Sequence, residues 1–199
     1  FTNFRNQIMI NLLISIYLRM IYIEIMGGLG NQLFQIFCGI AYSFENKIPF
    51  KINANKFDLV SPLDNISKRP TYWDTILKNL SKFTYQNHQF AIPTYMEKIH
   101  FKFTRIPFIK QDFKLRGYYQ SYKYFEENYG QIARLIRLDA QKECVRQYLP
   151  MNMYEVMSMH FRMGDYKKIP NMYPIATAAY YKNSIAFIKR RLTNLKQIN

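Results

Sequence analysis

The stretch Ile21-Tyr22-Ile23-Glu24-Ile25-Met26-Gly27-Gly28-Leu29-Gly30-Asn31-Gln32-Leu33-Phe34-Gln35 decides the fold. Its first five residues form a short β-type run, and the glycines that follow permit a tight turn. From Asn31 to Glu45 the apolar residues Leu33, Phe34, Phe37, Cys38, Ile40, Ala41 and Phe44 recur at helical spacing. Ile48, Phe50 and Ile52 then alternate with polar or proline positions, as in a second strand. Strand, glycine turn, helix and strand make a βαβ unit, with parallel strands and a right-handed crossover. The chain therefore opens an α/β domain.

Further elements follow from the same periodicities. Ile99, Phe101 and Phe103 alternate with Lys98, His100 and Lys102 and predict a strand with a basic face. Phe113 to Tyr119 reads as another strand, and Tyr122 to Arg137 as a helix. Pro150, after a polar helical stretch, marks a candidate domain boundary. Val156 to Phe161 reads as a buried strand running into Arg162-Met163-Gly164-Asp165. A last helix from about Ala178 sets Tyr181, Ile185, Ile188, Leu192 and Leu195 on one face.

Composition narrows the class. The chain has 199 residues, of which 49% are hydrophobic and 17% aromatic, well beyond a disordered composition. Two cysteines, Cys38 and Cys144, exclude a disulfide framework and a four-thiolate zinc site. The formal net charge of +15 admits nucleic acid, an anionic membrane surface or a small anionic ligand such as a nucleotide sugar. Basic residues are dispersed along the chain, whereas a nucleic-acid arm more often shows a block of them. Ile8 to Ile25 is largely apolar but interrupted by Asn11, Ser15, Arg19 and Glu24, a poor spanning segment that leaves a weak anchor open. Met20 is a plausible initiator, and no secretory cleavage pattern is visible.

Three places could carry chemistry. At Gly27-Gly28-Leu29-Gly30-Asn31-Gln32 a turn after a strand brings backbone N–H groups near a ligand at a helix N-terminus. The dinucleotide fingerprint is excluded because Leu33 stands at its third glycine. The plainer alternative is a tight turn with Asn31 as helix N-cap. At His160-Phe161-Arg162-Met163-Gly164-Asp165-Tyr166 a guanidinium at a strand's carboxyl end can hold phosphate oxygens through two parallel hydrogen bonds. An Arg162–Asp165 surface pair, with His160 as a satisfied core histidine, is the alternative. Gly117-Tyr118-Tyr119-Gln120-Ser121, followed by Phe125, could line a sugar site or simply be core. Cys38 falls on an apolar helix face and reads as packing. The sequence has no Asp-x-Asp, no Gly-Lys-Ser/Thr phosphate loop and no zinc-spaced His/Cys cluster.

In order, these segments resemble the α-1,2-fucosyltransferases, glycosyltransferase family 11. Gly27 to Gln35 match that family's Gly-Gly-Leu-Gly-Asn-Gln-(Leu/Met)-Phe-Gln pattern, and Gly117 to Phe125 are similar to its Gly-Tyr-Phe-Gln-Ser segment. His160 to Tyr166 match its His-x-Arg-Arg-Gly-Asp-Tyr motif except at Met163. Thr71-Tyr72-Trp73-Asp74, Pro174 and Tyr180-Tyr181-Lys182 extend the resemblance over roughly Ile21 to Lys189.

The resemblance implies a GT-B-type α/β enzyme that moves L-fucose from GDP-fucose to the 2-hydroxyl of a galactose-terminated glycan, with inversion and no required metal or other cofactor. Residues 1–19 read as an N-terminal extension, non-native if Met20 is the initiator, or as a weak anchor. A Rossmann-like acceptor-side domain would span 20–150, and an incomplete start of a GDP-fucose-binding domain 151–199. Arg162 would stabilise charge on the β-phosphate. Asp165 would orient the loop and is a candidate base, and His160 stands in the same catalytic motif. Gly28, Gly30, Asn31, Gln32 and Gly164 would shape the donor site, with Tyr119 and Gln120 on the acceptor side. Too few residues follow Arg162 for a second Rossmann-like domain, which needs on the order of 100. A catalytically inactive glycan- or nucleotide-binding remnant therefore stays open, as does, less favoured, a basic nucleic-acid-binding module. No nucleic-acid partner is expected. Relatives include soluble and anchored Golgi enzymes, so a cytoplasmic and a membrane-associated location both stay open.

Overall fold

A computed structural model describes residues 19–54, 59, 68–86, 91–149, 156–161, 163–164, 167, 171, 174–191 and 197–198. The chain divides into two compact units, Phe1–Lys142 and Glu143–Asn199.

The first unit is built on a five-stranded, wholly parallel sheet. Its strands are β1 (Ile21–Ile23), β2 (Phe50–Asn53), β3 (Thr84–Tyr85), β4 (Thr94–Met96) and β5 (Phe113–Arg116), in the order β3-β2-β1-β5-β4. Helix α1 (Leu29–Asn46) connects β1 to β2, which completes the expected βαβ unit. The α/β expectation with parallel strands therefore holds.

Register explains why the strands alternate. Ile21 pairs with Phe50 and Phe113, and Ile23 with Ile52 and Leu115, so one face is apolar and fully buried. The intervening row pairs Tyr22 with Lys51 and Lys114, all half-buried. Parallel strands usually read as continuous apolar runs because both faces are covered; here the core lies on one side. Ile36, Ile40 and Phe37 of α1 join that core, and the Tyr42 ring meets Phe113 edge-on at 5.5 Å. Gly39 lets the helix close on the sheet, since a Cβ there would stand 2.4 Å from Cδ1 and Cγ1 of Ile23. Lys47, at φ 54, closes the helix C-terminus, its N–H donating to the Phe44 carbonyl while the Ile48 N–H donates to the Ser43 carbonyl.

Three local expectations are corrected. Helix α1 begins two residues before Asn31, with Gly28 as N-cap and no side-chain cap. The alternating segment Ile99–Phe103 is not a strand: the strand lies earlier, at β4. Phe101 takes φ 61, which breaks extended backbone, and both alternating sets are exposed. The helix expected from Tyr122 to Arg137 is broken into a 3-10 turn (Tyr122–Tyr124) and α2 (Tyr129–Leu135). Phe125, at φ −140, interrupts it. Arg137, at φ 56, then turns the chain into α3 (Leu138–Arg146), a polar helix without buried residues.

The second unit pairs β6 (Val156–Met157) in parallel with β7 (Gln197–Ile198) and carries α4 (Ala178–Lys189) between them in sequence. Thr177 caps α4, its hydroxyl oxygen accepting from the Tyr180 N–H at 3.2 Å. Tyr181, Ile185 and Ile188 occupy one half-buried face, as the periodicity requires. The strand is shorter than expected and half-buried, with Phe161 beyond it largely exposed. Pro150, Leu192 and Leu195 lie outside the described residues.

Replacing Gly39 with Ala should destabilise the chain by about 1–3 kcal/mol, because overpacking against buried Ile23 outweighs the ~1 kcal/mol helix-propensity gain. Gly130→Ala, at an exposed position of α2 where the nearest atom to a Cβ lies 3.9 Å away, should be neutral or slightly stabilising. Urea midpoints of the two variants test the contrast. Burial first, then the carboxylates of Glu97 and Glu45, pushes the Cys38 thiol well above its ordinary range, whereas Cys144 is exposed. The native chain should therefore titrate one thiol rapidly with a disulfide reagent, and the second only after unfolding.

Candidate functional site

The candidate site is the carboxyl edge of the parallel sheet, where chain turns leave β1 and β5 side by side. Ligands of open α/β sheets gather at such edges. After β1 the chain passes Glu24 and reaches Gly27, whose φ of 77 suits glycine and whose absent Cβ would stand 2.6 Å from Asn31 Nδ2. Gln35 fixes the turn from below: its Oε1 accepts the Met26 N–H at 2.7 Å and its Nε2 donates to the Met26 carbonyl at 3.1 Å. Gln32 does the same one turn earlier, donating to the carbonyls of Gly27 at 2.9 Å and Pro70 at 3.1 Å. Both glutamines are buried. Gln32 thus reaches the site through backbone it holds, with its own side chain out of solvent.

Gly28 and Gly30 differ from Gly27. A Cβ on either meets nothing within 4 Å among the described residues. Packing does not demand glycine there, and the open space lies at the N-terminus of an eighteen-residue helix with no acidic residue in its first turn. Unpaired N–H groups and the helix dipole favour an anion at such a place.

The turn after β5 meets this one. Gln120 Nε2 donates to Asn31 Oδ1 at 2.6 Å, joining two motifs that lie 89 residues apart in sequence. Glu97, just past β4, shapes the second turn: its Oε2 accepts the Tyr118 N–H at 2.8 Å and its Oε1 the Tyr119 N–H at 3.1 Å. The Glu97 side chain is only 2% exposed, and His100 Nδ1 lies 3.2 Å from Oε2. Gly117 is required because a Cβ would fall 2.3 Å from Glu97 Cβ. Tyr119, at φ 49, turns its ring into the core and donates its hydroxyl to the Arg116 carbonyl at 3.3 Å. Burial, then charge at Cys38 and Glu97, raises the Tyr119 phenol far above its ordinary range. It is no proton carrier near neutrality. Gln120 is the residue of this motif whose polar group reaches the first turn.

On the other flank Glu24 accepts from Asn53 Nδ2 at 2.8 Å and from the Tyr85 hydroxyl at 2.9 Å. Sequence reading missed Glu24, Asn53, Tyr85, Glu97 and His100. A polar residue closing an alternating β run, as Glu24 and Asn53 do, was the available signal; Glu97 had none, since its strand was expected later.

In the second unit His160 and Gly164 are exposed, and the His160 carbonyl accepts the Tyr181 hydroxyl at 3.0 Å. The alternative of a core histidine does not hold there. A cleft of about 440 Å³ runs between the strand end and α4, lined by Ser158, His160, Pro174, Tyr181 and Ile185 among others. Met163 is exposed, and Arg162, Asp165 and Tyr166 lie outside the described residues. Among the described residues no cluster of three or more His, Cys, Asp or Glu could hold a metal ion.

Glu97→Gln should unsettle the second turn, because an amide nitrogen would replace one of two oxygens that accept backbone N–H groups. Hydrogen bonds to charged groups are worth about 1.5–3 kcal/mol. The expected result is a stability loss of about that size and faster amide exchange at Tyr118 and Tyr119, with the Met26 N–H, held by Gln35, left protected.

No family model matches the chain, and no solved structure matches it. Among curated proteins it is similar to an alpha-1,2-colitosyltransferase of Escherichia coli, with 25% identity over 201 residues. The similarity covers 85% of this chain and 64% of that protein, so the chain spans less than two thirds of its relative's length.

Proposed function

We propose that the chain belongs to a glycosyltransferase that forms an α-1,2 linkage, moving L-fucose from GDP-fucose to the 2-hydroxyl of a galactoside through a GT-B-type architecture. The observation that carries this reading is the Gln120–Asn31 hydrogen bond, which unites the glycine-rich turn and the Gly117–Ser121 motif at one sheet edge. The similarity to a transferase of α-1,2 specificity supports it.

In this reading the acceptor's hydroxyl oxygen attacks the anomeric carbon from the face opposite the nucleotide. The bond from that carbon to the β-phosphate oxygen breaks, the hydroxyl proton passes to a base, and GDP leaves. Inversion follows from the single displacement. The protein's main task is to stabilise negative charge on the β-phosphate as it builds. Arg162 is proposed for that role, with N–H groups at Gly28 and Gly30 adding fixed partial charge. No metal is invoked, in keeping with a sequence that lacks Asp-x-Asp. Asn31, held by Gln120, shapes the donor side, and Gly164 gives close approach. Asp165 and His160 are proposed to act beside Arg162, with Asp165 a candidate for the base. Gln32 and Tyr119 contribute by fixing backbone. The relative's name favours one second reading of the donor, a colitosyl nucleotide.

The test is sugar transfer to lactose by the polypeptide with whatever follows Asn199 in its reading frame, offered GDP-fucose and GDP-colitose separately. The expected result is an α-1,2-fucosylated product seen by mass spectrometry and NMR. Arg162→Ala should lower turnover at least about 100-fold, the size of loss seen when one transition-state donor is removed. Preference for the colitosyl donor would transfer the reading to that sugar. Binding of GDP without turnover of either donor would identify an inactive remnant, and indifference to both nucleotides would refute the transferase reading.

A further inference from the structure

The segment from Met96 to Lys110 presents an unusual surface. Ile99 is 51% exposed, Phe101 80%, Phe103 40% and Phe108 50%, and Met96 lies exposed beside them. Lys98, Lys102, Arg105 and Lys110 are exposed among them. Isolated exposed apolar residues are ordinary, but a run of them interleaved with cations is not.

The fold holds these side chains outward. The Tyr124 hydroxyl accepts the Thr104 N–H at 3.0 Å. The Tyr42 hydroxyl accepts the Ile109 N–H at 2.9 Å and donates to the Pro107 carbonyl at 3.0 Å. Ile106 and Ile109 pack against the core. With the backbone pinned at both ends and its inward positions filled, Phe101 and Phe108 have nowhere to bury. Phe101 also sits at φ 61, a conformation that a bulky residue seldom adopts. Arg19, the first described residue, lies with its guanidinium 4.9 Å from the Phe108 ring centre.

We propose that Met96–Lys110 docks the chain on an anionic lipid bilayer, with Phe101, Phe108 and Ile99 entering the headgroup–acyl boundary and the flanking cations meeting anionic headgroups. Interfacial binding combines buried apolar area with attraction to anionic lipid. Each Lys or Arg near such a surface strengthens the attraction several-fold. The mixture of aliphatic Ile99 and Met96 with the phenylalanines suits an acyl boundary better than a stack of bases, which uses flat rings. Among the described residues no helix is long and apolar enough to cross a membrane, so the docking proposed is onto the surface.

The test is co-sedimentation of the intact chain with vesicles of phosphatidylcholine alone and of phosphatidylcholine containing one third phosphatidylglycerol. Partitioning to the anionic vesicles should be at least about tenfold stronger. Phe101→Ser with Phe108→Ser, and separately Lys98→Glu with Lys102→Glu, should each reduce it about tenfold or more without changing the urea midpoint, since all four side chains are exposed. Phe101→Trp should show a blue-shifted emission on adding anionic vesicles, read against the single native Trp73. Equal binding to both vesicle types, binding indifferent to the four substitutions, or an unshifted Trp emission would each overturn the proposal. So would a wild-type chain that self-associates in sedimentation and turns monomeric in the phenylalanine variant, which would make a second copy the occupant. Competition by single-stranded RNA that is unaffected by the phenylalanine substitutions would instead assign the surface to nucleic acid.

Discussion

The close seat of α1 on β1 governs the rest of the first unit. Gly39 removes the side chain that would hold the helix away from Ile23, and Ile36 and Ile40 fill the space on either side. That contact decides where the helix N-terminus points. With α1 pressed against the central strand, its first turn opens at the sheet's carboxyl edge, next to the turn leaving β5. A helix displaced outward by one side chain would carry Asn31 away from Gln120. Packing in the core thus fixes polar geometry at the edge.

The edge itself is organised by side chains that bind backbone. Gln35 and Gln32 hold the first turn, and Glu97 holds the second. A buried carboxylate is costly unless hydrogen bonds compensate its lost hydration. Glu97 meets this with two N–H groups and the His100 ring. The result is a turn held by directed bonds, in which Tyr119 adopts φ 49 and Gln120 is delivered to its partner. Asn31 and Gln120 can then share a hydrogen bond of 2.6 Å.

How much of this was legible depended on the length and strength of each local signal. Helix α1 carries eighteen residues of clear 3.6-residue periodicity and was read almost to its ends. β1, β2 and β5 were read because each alternates against a common core face. The segment Ile99–Phe103 alternates just as cleanly, yet it is a turn, because alternation reports two chemical faces and says nothing of whether either is buried. The helix after Tyr122 was read as one piece because its apolar spacing continues across Phe125, while the backbone break there has no glycine or proline to announce it. At the site, the glycine-rich turn was visible by composition. Glu97 was not, since its role depends on strands far away in sequence meeting at one edge.

The glycines of the first turn differ in what they owe to the fold. Gly27 is locked by Asn31, whereas the bare side of Gly28 and of Gly30 meets nothing among the described residues. Changes at Gly28 or Gly30 are therefore nearly free of structural consequence, while any ligand that needs that space would be shut out. The turn thus leaves two bare positions where a larger side chain would stand in the way of anything approaching the helix N-terminus from outside the chain.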